Sequence, residues 1–370
     1  MTKEKILIIG SGIAGLTLAE RFASKNRKVT VIEQRNHIGG NCFDYKNKFG
    51  LLVHKYGPHI FHTNNKDVWQ YLSRFTGWLD YRHKVLGYID GKTAPIPFNI
   101  NSLFIFFAKQ EALIIEEKLK KNFGYNQKVP ILELLKSDDS VIRKLAKFVY
   151  KKVFLEYTMK QWGLKPNQID PAVTARVPVV ISRDDRWFFD KYQGMPKYGY
   201  TKMFKKMTKK PNIRIILRQD YLNLKEKIEA DRVFYTGAID RYFNYKYGHL
   251  DYRYLRISFS TMKKASYQKS AVVNYPALKF PYTRITEFKK LTGQKSKITT
   301  IGKEFSGPSG FMAWPVNNDK NMKILKKYQK EVKKLNGKNI FFVGRLAEFK
   351  YYNMDDAVKN SLDLFNSLSK

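Results

Sequence analysis

Three glycines near the start restrict this chain more than any other feature. Gly10, Gly12 and Gly15 form a G-x-G-x-x-G run directly after the apolar stretch Ile6–Ile9 and directly before a helical pattern that reaches Lys25. A second apolar stretch, Val29–Ile32, ends on Glu33, 18 positions after Gly15. Strand, glycine turn, helix, strand and terminal acid together predict a βαβ unit that binds a dinucleotide. Gly10 allows the tight turn, Gly12 lets backbone approach a pyrophosphate, and Gly15 lets helix pack on strand. The helix N-terminus, with Ile13 and Ala14 in its first turn, offers unpaired N–H groups to phosphate. Glu33 suits unphosphorylated ribose hydroxyls, which disfavours NADP. Gly39-Gly40 after the second strand, and Val343-Gly344-Arg345 before a last helical pattern, favour FAD over NAD.

With 370 residues, the chain is too long for one small core and suits two or three lobes. Hydrophobic residues at 43% predict packed domains rather than disorder. A net charge of +37 attracts polyanions, yet the lysines are scattered and no nucleic-acid motif accompanies them. They read as a solvated surface, with a loose hold on an anionic membrane face as the alternative and no nucleic-acid partner. The lone Cys42 permits no internal disulfide and fits a reducing, cytoplasmic setting. No apolar run spans a bilayer, and Ile6–Ile9 reads as a strand rather than a leader. No metal-ligand pattern is evident.

Further on, Val85–Pro97 reads as a hairpin turning at Asp90-Gly91. Residues 102–160 are helical in pattern, with breaks at Gly124 and Pro130. Val173–Gln193 has the composition of a functional loop. Strands are expected at Ile213–Leu217, Arg232–Tyr235, Tyr252–Phe259, Ala271–Tyr275 and Asn339–Val343, and a final helix over Asp355–Leu368. With no clear linker, the lobes should be interleaved.

Several runs carry a family resemblance: Gly57-Pro58-His59-Ile60-Phe61-His62-Thr63, the Tyr157-Thr158-x-Lys160-Gln161-Trp162-Gly163 stretch, Gln193-Gly194-Met195-Pro196, Tyr282-Thr283-Arg284, and the tail Gly344 to Asp355. In these the chain resembles, end to end, the prokaryotic UDP-galactopyranose mutases. The resemblance implies an α/β fold: a discontinuous Rossmann-like FAD-binding domain (1–80, 198–240, 338–370), a helical lobe (99–170) that makes a homodimer contact, and an antiparallel β-sheet lobe (81–98, 171–197, 241–337). It implies interconversion of UDP-galactopyranose and UDP-galactofuranose without net redox change, through a covalent sugar iminium at N5 of reduced FAD. It also implies a cellular reductant and a role in cell-surface polysaccharide synthesis.

By the same resemblance Arg176, on a closing loop, and Arg284 hold the diphosphate, helped by Tyr351. Phe154, Tyr157, Trp162 and Asn274 serve the nucleobase, although Phe154, Tyr157 and Gln161 also have the spacing of simple helix packing. His59 lies against the isoalloxazine, while His62 reads as a core histidine. Gln34, Gly40, Asn41, Ile60, Gly344, Arg345 and Met354 join the glycine run and Glu33 at the cofactor. Three positions depart from the family pattern: Trp187 and Trp314 stand where tyrosines are usual, and Asn353 where aspartate is usual. These changes bear on the sugar pocket, so a 6-deoxy or dTDP-linked sugar is the alternative substrate. An ordinary FAD oxidoreductase is the rival chemistry.

Overall fold

The structure, a computed structural model, describes residues 3–163, 177–224 and 228–369. Arg176 therefore lies outside the described residues, as does the first part of the loop expected over Val173–Gln193.

The chain forms two units. The first comprises Met1–Asp80, Asp190–Arg253 and Met312–Lys370, and the second Tyr81–Phe189 and Tyr254–Phe311. Interleaving is thus present, but the partition differs from the three lobes expected. Residues 190–197, 241–253 and 312–337 go with the dinucleotide-binding unit. The helical and sheet segments form one unit because they share one apolar core: Leu103, Ile115 and Leu145 from the helices cluster with Val85, Ile89, Ile96 and Val272 from the sheet.

In the first unit β1 (Lys5–Ile9), α1 (Ile13–Ser24) and β2 (Lys28–Glu33) form the expected βαβ. Five parallel strands run in the order Ile213–Leu217, β2, β1, Arg232–Tyr235, Ile340–Phe342. The central β1 reads as continuous Ile and Leu because both its faces are covered. Ile6, Ile8, Phe22 of α1, Phe234 and Phe365 build one side, and Leu7, Ile9, Ile32 and Tyr235 the other. The closing helix, Met354–Leu368, packs on α1. The helix Asp319–Asn336, which the sequence reading left unassigned, buries Leu325 and Tyr328.

In the second unit six strands of a seven-stranded sheet run Tyr252–Met262, Thr299–Gly307, Arg284–Glu287, Val272–Asn274, Val85–Ile89, Lys92–Ile96, and these six are antiparallel except between Val272–Asn274 and Val85–Ile89. The helix Ser140–Val149 continues through a π-helical stretch, Tyr150–Leu155, into the helix Glu156–Trp162. Gly163 then ends it in the left-handed region at φ 68°.

Candidate active site

The glycine run has the geometry its spacing predicts. Gly10 has φ 100°, and a Cβ there would lie 2.1 Å from Thr236 Oγ1. A Cβ on Gly15 would lie 2.1 Å from the Gly10 carbonyl oxygen. Both glycines are therefore compelled by close packing. Gly12 differs: it is the N-cap of α1, and a Cβ there would meet no atom of the described residues within 4 Å. Gly40 closes on this opening, its Cβ position only 2.9 Å from Gly12 Cα. Gly39 N–H donates to the Ser11 carbonyl at 2.8 Å, fixing the second glycine pair beside the first. The open space at Gly12, at the positive end of a helix, fits a pyrophosphate.

Glu33 is 5% exposed and already engaged. Its Oε2 accepts from Ser11 N–H at 2.9 Å and Ser11 Oγ–H at 2.7 Å, and its Oε1 from Arg35 N–H at 2.9 Å. A carboxylate has about four acceptor sites, so room is left for a ribose hydroxyl. Gln34 accepts from Arg241 at 3.0 Å. Asn41 accepts from Arg35 Nη2 and donates to the Met312 carbonyl, both at 3.0 Å. The sequence reading missed Arg35. Its guanidinium lies over the Tyr56 ring at 4.5 Å, and its Nη1 is buried without an acceptor among the described residues, a donor suited to an anionic ligand.

His59 donates from Nδ1 to the Gly57 carbonyl at 2.9 Å. Its backbone N–H donates to His54 Nδ1 at 3.2 Å. His54, also missed from sequence, is 1% exposed, and burial lowers its pKa to about 4, so it stays neutral and can accept. Ile60 beside them is buried. His62, expected in the core, is instead bonded to Asp190 at 2.9 Å.

At the other end of the first unit, Gly344 N–H donates to Glu348 at 2.8 Å. Arg345 donates to the carbonyls of Ala313, at 3.1 Å, and Tyr352, with its guanidinium 5.5 Å over the Tyr351 ring. Trp314 is 6% exposed and meets Tyr351 edge-on at 6.1 Å. Asn353 is the N-cap of the closing helix, its N–H bonded to Asp356 at 2.9 Å. Met354 Sδ lies 3.5 Å from Cys42 Sγ, a thiol that burial pushes up to about 12.

In the second unit Asn274, Arg284 and Glu304 form one row across three adjacent strands. Directly opposed residues share a sheet face, so the three side chains fall side by side. Arg284 Nη2 is 2.9 Å from Glu304 Oε2, and Glu304 is 2% exposed. Asn274 is 7% exposed, and its Oδ1 is buried without a hydrogen-bond partner among the described residues. The loop between Asn274 and Arg284 is held by one cation. Lys160 Nζ lies within hydrogen-bond reach of four carbonyls, those of Tyr275, Ala277 (2.9 Å), Phe280 (3.2 Å) and Tyr282 (3.1 Å), which share its three N–H donors. One helical turn away Glu156 accepts from Leu278 N–H at 2.7 Å. Burial lowers Lys160 to about 8, with Glu156 opposing. Tyr157 and Trp162 ride on this same helix. Phe154 lies in the π-helical stretch and packs in the apolar core, the position its helical spacing also allowed. Trp187 packs against that core, its N–H bonded to the His83 carbonyl at 2.7 Å.

Comparison with known proteins decides the family. The UDP-galactopyranose mutase family profile matches residues 152–351, and a profile described as an NAD(P)-binding Rossmann-like domain matches 8–75. A probable UDP-galactopyranose mutase of Klebsiella pneumoniae is 34% identical, over 98% of this chain and 94% of its own.

The chain belongs to the UDP-galactopyranose mutase family.

A dTDP-fucopyranose mutase of Escherichia coli is similar to the same degree, 33% identical over 97% of each chain. The crystal structure of a reduced UDP-galactopyranose mutase superposes with a TM-score of 0.77, covering 100% of this chain and 94% of that one at 15% identity, which establishes the shared fold. These two relatives, at nearly equal distance from this chain, are thus named for different nucleotides and different sugars.

Proposed function

We propose that this chain is an FAD-dependent mutase that interconverts the pyranose and furanose forms of a nucleotide-diphosphate sugar, with UDP-galactose as its first substrate. The observation that carries the reading is the Asn274–Arg284–Glu304 row: a buried carboxylate aims a fixed cation, beside an amide oxygen that has no donor among the described residues. The guanidinium suits a diphosphate that must be held as it leaves and returns, and the amide oxygen suits a nucleobase N–H. Arg284 and Arg176 bind it, with Tyr351 donating to the same oxygens. Tyr157, Trp162 and Asn274 line the nucleobase, joined by an edge of Phe154.

The opening at Gly12 and the glycine pair at Gly39-Gly40 support FAD over NAD, and Glu33 takes the adenosine ribose. Bound and reduced, the flavin supplies an electron-rich nitrogen for ring opening and reclosure, with no net redox change. His59 sets hydrogen bonding at the isoalloxazine. A cellular reductant keeps the enzyme active, and the reaction runs in the cytoplasm to supply surface polysaccharide. A homodimer forms through the helices, where Leu113 and Ile114 are exposed on Lys109–Phe123.

A second reading of the sugar rests on Trp187, Trp314 and Asn353. Indole is bulkier than phenol and donates but does not accept, so it suits a sugar lacking the 6-hydroxyl, as in dTDP-fucose. The test is anaerobic turnover of UDP-galactofuranose and dTDP-fucofuranose, each with and without dithionite, read by chromatography. Pyranose product formed only on reduction supports the mutase, and the faster substrate names the sugar. Turnover that consumes an electron acceptor would establish the oxidoreductase instead.

A further inference from the structure

The charge that the sequence scatters, the fold partly gathers. The helix Asp319–Asn336 carries lysines at 320, 323, 326, 327, 330, 333 and 334. At 3.6 residues per turn, the last six fall within roughly one third of the helix circumference. Asn321, Leu325 and Tyr328 are buried on the opposite side, which fixes the lysine face outward. Lys323, Lys326, Lys327, Lys330, Lys333 and Lys334 are all exposed.

This face holds no acid. Of the helix's two carboxylates, Asp319 lies in the first turn, and Glu331 is turned inward to the Tyr247 hydroxyl at 2.6 Å. Lys320 and Lys334 reach carboxylates, at 3.6 Å to Asp251 and 3.5 Å to Glu331. Among the described residues, Lys323, Lys326, Lys327, Lys330 and Lys333 have no ion-pair partner. Five like charges on one side of a straight helix repel one another, and an external anionic surface relieves that repulsion.

We propose that the lysine face of the helix Asp319–Asn336 is a docking surface for a bilayer rich in anionic lipid, which the chain contacts peripherally. Charge complementarity carries the assignment, and three details favour lipid over nucleic acid. The face has lysines only, with no guanidinium fork to clasp phosphate. Its one aromatic residue, Tyr328, points inward, so no base can stack on it. A rod about 27 Å long with its charges in one plane matches a flat array of headgroups rather than a groove. Met322, 40% exposed, flanks the lysines as a single apolar contact. Among the described residues no helix is long and apolar enough to cross a membrane, so the contact is superficial.

The test is co-sedimentation of the full chain with vesicles of phosphatidylcholine alone or mixed with phosphatidylglycerol, at low and at raised salt. Three proteins are compared: the native chain, K323Q/K326Q/K327Q/K330Q/K333Q, and K25Q/K46Q/K121Q/K147Q/K263Q. The last removes the same charge from exposed lysines elsewhere. Native protein should bind the anionic vesicles only, and release them as salt rises. The helix variant should bind at least about tenfold more weakly, and the control within about twofold of native. Equal loss in both variants would reduce the effect to net charge and overturn the proposal. So would failure of the native chain to bind at low salt. If the helix variant loses duplex RNA but keeps vesicles, the face is a nucleic-acid surface instead. Unchanged thermal melting of both variants excludes misfolding as the cause.

Discussion

Arg284 and Glu304 face each other on neighbouring strands, with guanidinium Nη2 2.9 Å from a carboxylate oxygen that is all but buried. The pair gives Arg284 one orientation at the cost of part of its charge. Glu304→Ala frees the guanidinium to wander and leaves it half-buried without that partner. UDP affinity, measured by calorimetric titration, should fall roughly tenfold, the scale of one charge-assisted hydrogen bond. Tighter UDP binding in the variant would mean that Glu304 competes with phosphate rather than aiming Arg284.

Lys160 acts on the same hairpin from below. Its ammonium, with three N–H donors, lies within hydrogen-bond reach of four carbonyls of the loop between Asn274 and Arg284. Lys160→Met keeps the stem and removes every donor. Stability in urea should drop by about 2 kcal/mol or more, since several carbonyls lose their partner. UDP binding should weaken as well, because Asn274 and Arg284 sit at the two ends of the loop. A stability loss with unchanged UDP affinity would confine Lys160 to a structural role.

Two glycines in one motif should behave oppositely. Gly10→Ala forces a Cβ into Thr236 at a left-handed φ, and the protein should lose about 3 kcal/mol or fail to fold. Gly12→Ala meets no atom of the described residues, so the melting temperature of the flavin-free protein should hold. The added methyl instead occupies the pyrophosphate opening. The flavin-to-protein absorbance ratio after purification should fall sharply. Full flavin occupancy in Gly12→Ala would remove the pyrophosphate from that opening.

His54 should set part of the acid limit. Its folded pKa is about 4 against the usual 6.5. Between those values the unfolded chain takes up a proton that the native site refuses. Its contribution is therefore complete above pH 6.5 and is lost as pH falls toward 4. The full effect is up to about 3 kcal/mol. Urea unfolding at about pH 7 and about pH 5 should show this slope in the native protein and a shallower one in His54→Gln. The amide oxygen of that variant can still accept from His59 N–H. Equal slopes would place the acid sensitivity elsewhere.

Much of this protein was legible in its sequence, because local rules fixed it. The βαβ unit, with Glu33 at its end and the open Gly12, follows from glycine conformation, strand burial and a helix N-terminus, all of which act over about thirty residues. The hairpin at Asp90-Gly91 and the closing helix follow in the same way. Tertiary structure alone decided what depends on partners distant in the chain. No local pattern marks Glu304 as the mate of Arg284, or Lys160 as the plug of a loop more than a hundred residues later. Each is an ordinary polar residue until burial removes water and leaves only protein to satisfy it. The same holds for the partition into two units, where helices and sheet merged because they had one apolar core to bury. It holds too for the helix Asp319–Asn336, whose lysines look scattered until a buried Tyr328 fixes which way the helix faces.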